Sequence, residues 1–181
     1  MTKTLILMRH AKSSWDDPAL DDRDRPLNKR GRTSAAALGD WLKTRKWLPD
    51  QVLCSPSVRT VETFDRLALA SRADLIPDLY HAAPDTMRTV LCQTSGKTVM
   101  MLGHNPGIGE FAARLLAAPP AHARFCDYPT GATLIARFDI DGWRDLDWGR
   151  GMPISFVVPR ELVARRAPKR SSAKISARGS G

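Results

Sequence analysis

The stretch Thr4-Leu5-Ile6-Leu7-Met8-Arg9-His10 passes without a break from an apolar run to two polar, chemically capable side chains. A half-exposed strand would alternate apolar and polar residues. An unbroken apolar run of this length fits a strand buried on both faces, as in a parallel sheet covered by helices. The residues that follow agree with this. A polar loop over 12–25, dense in Asp, closes at Pro26, and 29–46 then carries Ala35, Ala36, Leu38 and Leu42 at helical spacing. Gln51–Cys54 reads as a second short strand. Ser55-Pro56-Ser57 reads as a helix start, and Val61, Phe64, Leu67 and Ala68 continue the helix over 58–70.

Further along, 74–80 is an extended segment broken by Pro77, 85–94 has helical spacing at Met87, Val90 and Leu91, and 98–102 is another buried strand. A turn over 103–107 leads to a helix over 108–117, followed by a strand over 133–138. Two more strands, 142–146 and 154–158, are expected nearer the sheet edge. Strands alternating with helices over short links predict an α/β fold: a mainly parallel sheet with helices on both faces. In such sheets ligands bind beyond the carboxyl ends of the strands.

The chain has 181 residues, enough for one domain, which the pattern places at 1–163. Residues 164–181 form a basic tail rich in Ser, Ala and Gly, with no periodic apolar face, and are expected to be disordered. Arg165, Arg166, Lys169, Arg170, Lys174 and Arg178 give the tail six positive charges and no acid, out of a net +9. Removing them leaves about +3 on the body, compatible with acidic substrates. No apolar run approaches the roughly 20 residues of a membrane span. The N-terminus runs straight into a strand with no leader pattern, so a cytoplasmic location is expected. Cys54, Cys92 and Cys126 are too few and too scattered for a disulfide framework or a CxxC metal site.

Chemistry collects where the strands end. Arg9 and His10 follow the first strand, Ser55 and Arg59 the second, and Gly103-His104-Asn105 the strand over 98–102. Each has a plain structural alternative. A histidine after a strand can simply cap or pack, Arg59 has Glu62 as an i+3 partner, and Pro106 can merely start a helix. Together they suit a phosphoryl group. Guanidinium forks match phosphate oxygens, a helix start after Pro106 offers free N–H groups, and a neutral imidazole is a competent nucleophile near neutral pH. A second histidine can stabilise charge developing on the phosphoryl oxygens.

Leu7-Met8-Arg9-His10-Ala11-Lys12-Ser13 resembles the signature of the histidine phosphatase superfamily, whose fold is the phosphoglycerate-mutase-like three-layer sandwich. Ser55-Pro56-Ser57-Val58-Arg59-Thr60-Val61-Glu62-Thr63 resembles its second motif and Gly103-His104-Asn105-Pro106 its third. Asp24-Arg25-Pro26-Leu27-Asn28-Lys29-Arg30-Gly31 is similar to the SixA-type branch, the phosphohistidine phosphatases. The resemblance runs from about Thr4 to Val163. It implies that His10 is the nucleophile that becomes phosphohistidine, that Arg9, Arg59 and His104 hold the phosphoryl oxygens, and that backbone groups around Ser13 and Asn105 close the pocket. No metal site is evident in the sequence and the arginines make a metal unnecessary for charge neutralisation, so neither a metal nor a cofactor is expected. Ala11 stands where many relatives have Gly, and Asp16 where many have Asn; a carboxylate beside bound phosphate is unfavourable, so Asp16 is expected to point elsewhere.

Phosphomonoesterases of this superfamily usually supply an acidic proton donor after the third main strand. Here that region, 78–85, contains no Glu; Asp78, His81 and Asp85 are the candidates. Against them, Asp78 also suits a turn, Asp85 a helix N-cap, and His122, beside Pro119-Pro120, a surface loop. An alkyl ester expels a basic alkoxide and needs an acid, whereas imidazole leaves a phosphoramidate readily. The expected substrate is therefore phosphohistidine on a protein, with no membrane partner. Three rivals remain in view. A cysteine phosphatase is rejected because Cys54 and Arg59 are separated by four residues instead of five, with Leu53 before the cysteine. A phosphomonoesterase for a small metabolite stays open. So does an anion- or nucleic-acid-binding protein using the basic tail, although the body shows no nucleic-acid-binding motif.

Overall fold

The computed structural model describes residues 2–166. Strands β1 (Thr2–Arg9), β2 (Gln51–Cys54), β3 (Ala73–Leu75), β4 (Thr98–Gly103), β5 (Thr133–Asp139) and β6 (Met152–Val157) form one sheet in the order β3-β2-β4-β1-β5-β6. The helices are α1 (Lys29–Thr44), α2 (Val58–Leu67), α3 (Pro84–Cys92), α4 (Gly107–Leu115) and α5 (Pro159–Arg166). The pairs β3·β2, β2·β4 and β4·β1 are parallel; β5 runs antiparallel to β1, and β6 to β5. The sheet is thus mostly parallel, as the alternation of elements predicts.

The unbroken apolar run of β1 is explained by its position. Leu5 and Leu7 point into one core with Leu53, Val99, Met101 and Leu134, covered by Met87 and Leu91 of α3 and Ile108, Phe111 and Leu115 of α4. Ile6 and Met8 point into the other, with Val52, Cys54, Met100, Leu102 and Ile135 under Leu38 and Leu42 of α1, Phe64 and Leu67 of α2 and Leu162 of α5. Successive side chains of a strand leave opposite faces, so a strand covered twice must be apolar at every position. Truncating one of these leucines to Ala would cost about 2–5 kcal/mol.

Register decides where the site lies. Met8 pairs with Leu102, and Leu102 with Cys54, so the three central strands finish level. The next residues in each, Arg9, Gly103 and Ser55, share one edge. Parallel strands level at their carboxyl ends bring three sequence-distant segments within reach of one ligand.

Two expectations about these elements are corrected. Residues 142–146 are not a strand: Trp143–Asp145 form a 3₁₀ turn that buries Trp143 and Leu146, three residues apart. Trp143 packs on Phe138 and donates from Nε1 to the Gly96 carbonyl at 2.8 Å. The helix expected to reach residue 70 ends at Leu67, because Ala68 takes a left-handed conformation with φ of 50°. The last helix, α5, runs to Arg166, and residues 167–181 of the basic tail lie outside the described residues. No helix among the described residues is long and apolar enough to cross a membrane.

Candidate functional site

His10 leaves the end of β1 and is pinned by backbone bonds. Its N–H donates to the Gly103 carbonyl at 3.1 Å, and the Gly131 N–H donates to the Arg9 and His10 carbonyls at 3.1 and 2.9 Å. The ring Nδ1 lies 2.7 Å from the Ala11 carbonyl oxygen. A carbonyl only accepts, so Nδ1 carries the hydrogen and Nε2 keeps a bare lone pair. The Ala11 N–H in turn donates to Thr63 Oγ1 at 3.0 Å, which ties this loop to α2. Ala11 itself is fully buried with Leu27 and Ala35.

His104 stands across the edge, its ring centroid 5.2 Å from that of His10. Arg59 Nη2 approaches His104 Nδ1 at 3.3 Å, and His104 Nε2 lies 2.7 Å from Ser55 Oγ. An arginine only donates, so Nδ1 accepts and Nε2 bears the hydrogen directed at Ser55. Burial, followed by the charges of Arg59 and Arg9 and opposed by the Ala11 carbonyl, lowers the His10 pKa to about 3. Burial, then the neighbouring His10, Arg59 and His81, lowers His104 to about 2. Both rings are neutral near pH 7, and His10 is then nucleophilic.

Arg9 donates from Nη1 to the Tyr128 carbonyl at 3.0 Å, while its buried Nε has no partner. Burial, then the charge of Arg59, lowers its pKa from 12.5. Arg59 is buried, and its fork is occupied. Nη1 donates to the Asp22 backbone carbonyl, and Nη2 to Asp22 Oδ2 at 2.8 Å. The sequence-expected partner Glu62 does not serve it. Glu62 instead takes Arg32 at 2.7 Å and the Leu27 N–H at 2.8 Å, because the first turn of α2 aims Arg59 at the sheet edge and Glu62 toward α1.

Asp22 and Tyr80 are the members that sequence reasoning missed. Asp22 Oδ2 also accepts from Tyr80 Oη at 2.8 Å and from His81 Nε2 at 3.1 Å. Partial burial pushes this carboxyl up, but the hydrogen bonds from Tyr80, Arg59 and His81 overcome it and hold the group well below the usual carboxylate range. The rings of Tyr80 and His81 lie 5.4 and 5.0 Å from that of His104. His81 has a φ of 51°, an uncommon conformation for a non-glycine residue. The loop behind it packs hard on α4: a Cβ on Gly107 would sit 1.8 Å from the Ala82 carbonyl oxygen. Asp22 sits in a run of five Asp within 16–24, and nothing in that run marks it out.

Of the three proton-donor candidates, the fold brings His81 to the site. Asp78 is exposed on the 3₁₀ turn Pro77–Leu79, and Asp85 pairs with Arg114 of α4 at 3.1 Å. Asp85 is also not the N-cap of α3; that position is Ala83, with Pro84 at the first turn. The Asn105 side chain turns away to donate to the carbonyls of Asp127 and Tyr128 at 3.1 and 3.2 Å, leaving its buried Oδ1 unpartnered. Ser13 is buried in a single bridge to Leu27. Asp16 accepts from Ser14 Oγ at 2.7 Å, and His122 meets Glu161 at 2.9 Å. Burial pushes the Cys54 thiol up to about 12, so it is no nucleophile.

The arrangement therefore presents one bare imidazole nitrogen, two guanidinium groups and a second neutral imidazole at a single buried edge, a set suited to a tetrahedral oxyanion. Residues 5–80 match the family model of the histidine phosphatase superfamily (branch 1). An uncharacterized protein of Mycobacterium tuberculosis is 31% identical over 160 residues, covering 84% of this chain and 100% of that one. An uncharacterized chloroplastic protein of Arabidopsis thaliana is 35% identical over 133 residues, covering 65% of this chain; the match spans 61% of that longer protein. The phosphohistidine phosphatase SixA of Escherichia coli is 27% identical over 154 residues, covering 80% of this chain and 91% of that one. Among solved structures, a chain from Nakamurella multipartitia assigned as a SixA phosphohistidine phosphatase superposes with a TM-score of 0.77 at 25% identity, covering 88% of this chain and 97% of that one.

Proposed function

The chain belongs to the histidine phosphatase superfamily, and on that premise we propose that it hydrolyses phosphohistidine on a protein partner through a covalent phosphohistidine of its own at His10. The observation that carries the mechanism is the hydrogen bond from His10 Nδ1 to the Ala11 carbonyl, which leaves Nε2 bare. The Nε2 lone pair attacks phosphorus while the P–N bond to the substrate imidazole breaks; the substrate ring, protonated on its other nitrogen, takes the electron pair and leaves as neutral imidazole. His10 becomes a phosphorylated imidazolium, and the Ala11 carbonyl stabilises the charge on Nδ1–H. Water then attacks phosphorus, the P–N bond to His10 breaks, inorganic phosphate leaves with the proton lost to solvent, and neutral His10 returns.

Arg9 and Arg59 donate to the phosphoryl oxygens, and His104 joins them from Nδ1 once that nitrogen, released by Arg59, takes up a proton beside the bound anion. The unpartnered Nε of Arg9 is a donor awaiting an acceptor, and Arg59 exchanges Asp22 for the phosphoryl group. Backbone groups around Ser13 and Asn105 close the pocket. Two points favour a nitrogen leaving group. Asp22, the carboxyl bonded to Arg59, is held ionised and is a poor proton donor, while Asp78 and Asp85 make no contact with the site. Imidazole needs no strong acid to depart. The E. coli relative's own name is in keeping with this substrate.

A second reading rests on His81, whose exposed imidazole beside His104 is placed to protonate the leaving oxygen of a small phosphomonoester. The test is a comparison of kcat/KM for a phosphohistidine-bearing protein and for a panel of small phosphomonoesters, without added metal. The phosphohistidine protein should be preferred by roughly 10²-fold or more, the scale of a general-acid contribution that an ester would need. If an alkyl phosphate is the better substrate and His81→Asn cuts its turnover by orders of magnitude, the phosphomonoesterase reading replaces this one.

A further inference from the structure

Beside the nucleophile lies a cleft of about 1080 Å³, at the upper end of the size of small-molecule sites. The chain leaving His10 enters it at once: Lys12 lines the cleft, as do Pro129 and Thr130, adjacent to the Gly131 that clamps the Arg9 and His10 carbonyls. Its walls carry Lys12, Lys29, Arg30, Arg124 and Arg160 against a single acid, Glu161. Arg124 is paired with Asp127, and Glu161 with His122. Lys12, Lys29, Arg30 and Arg160 are exposed and have no carboxylate partner among the described residues.

A further feature points to an anionic occupant. Lys29 and Arg30 stand in the first turn of α1, which has no acid. Cations there oppose the helix dipole, an unfavourable placement that a bound anion reverses. Ser34 and Thr33 add hydroxyl groups to the same wall. Between the cations runs an apolar strip of Pro129, Val158, Pro159 and Val163. No aromatic side chain lines the cleft, so stacking of nucleic-acid bases has no platform. The basic residues that follow α5 in the sequence share the sign of the cleft and so do not complement it.

We propose that this cleft is a docking site for an acidic, extended segment of the phosphorylated protein partner, gripped while the phosphorylated side chain lies at His10. Carboxylates meet the four unpaired cations, and intervening aliphatic side chains lie on the proline–valine strip. The inference deepens the reading of a protein substrate and rests on it.

The test has two arms on the full chain. In the first, a short fluorescein-labelled peptide of Glu and Asp interleaved with Val, carrying no phosphate, is titrated by anisotropy against the parent and against Lys29→Glu/Arg30→Glu/Arg160→Glu. The parent should bind it with a strong salt dependence, and the triple variant should bind roughly tenfold or more weakly. The milder Arg30→Gln/Arg160→Gln pair should fall between them, which guards against a misfolded triple variant. In the second arm, the triple variant should raise KM for a phosphohistidine-bearing acidic protein while turning over a small phosphoramidate within about twofold of the parent, since long-range surface charge acts mainly on encounter. Unchanged peptide binding overturns the proposal. So does equal loss on the protein and the small phosphoramidate. A single-stranded oligonucleotide that binds more tightly than the peptide, and is lost in the triple variant, would make the cleft a nucleic-acid site instead. If the parent cleaves neither phosphorylated substrate, the phosphatase reading fails, and the peptide titration still decides the cleft.

Discussion

Two groups of side chains meet over the carboxyl ends of β1, β2 and β4, and they are held in different ways. Arg9, His10 and His104 sit within a residue of a strand end, and Arg59 lies in the first turn of α2; each is fixed by the register of a sheet covered on both faces. Asp22, Tyr80 and His81 come from the short 3₁₀ turn Asp22–Asp24 and from the loop after Pro77–Leu79. They are joined to the first group by the Asp22 carboxylate and its backbone carbonyl, and by the Tyr80 and His81 rings packed beside His104. The first group is largely buried and presents guanidinium donors beside one bare imidazole nitrogen. The second places an anion in the fork of Arg59. Rigid, buried donors suit transition-state stabilisation, and a half-exposed carboxylate on a loop suits exchange with a ligand.

Substitutions separate the two. His10→Ala removes the attacking atom and should abolish turnover, by about 10⁴-fold or more, in a steady-state assay with phosphohistidine protein. Arg59→Lys keeps the charge and loses the fork, so kcat/KM should fall by about 10²–10³-fold. A neutral effect would place Arg59 with ordinary surface ion pairs. Asp22→Asn is the informative variant of the second group. With the competing charge gone, inorganic phosphate should inhibit about tenfold more strongly. Weaker inhibition would show that Asp22 orients Arg59 more than it competes for it. Asp78→Asn and Asp85→Asn should change turnover within about twofold, as expected of surface residues.

Acidification tests the burial of the first group as a whole. The pKa values of His10 and His104 lie below the ordinary 6.5, at about 3 and about 2. As pH falls from 6.5 through that range, the unfolded chain takes up protons that the folded protein refuses, so stability declines. Melting temperatures measured from pH 7 to pH 4 should fall, with a flatter slope in His10→Ala and His104→Ala than in the parent.

What the sequence disclosed follows the same division. An unbroken apolar run forces a doubly covered strand, and the first polar residue after it must lie at the sheet edge. Arg9, His10 and His104 were therefore legible from local pattern. Arg59 was legible as a residue, though its partner was not, since which face of α2 meets the sheet depends on tertiary packing. Asp22 is bonded to residues 37, 58 and 59 positions away, and no periodicity reports such a contact. The Trp143 turn misled for a related reason: Trp143 and Leu146 are apolar at a spacing of three, and Gly142 and the residues between them do not distinguish a 3₁₀ turn from a short edge strand. The cleft also escaped notice, because Lys12, Lys29, Arg124 and Arg160 come together only in the folded chain.

The central claim concerns one nitrogen atom. With Nδ1–H committed to the Ala11 carbonyl, the phosphoryl group has a single place to go on His10. Rapid quench of the enzyme with labelled phosphohistidine protein, followed by peptide mapping and ³¹P NMR of the trapped species, reads that atom directly. The account predicts an acid-labile, alkali-stable phosphoramidate at His10 Nε2, absent from His10→Ala. An acid-stable phosphoryl ester on serine, a phosphoramidate at Nδ1, or normal turnover in His10→Ala would contradict it.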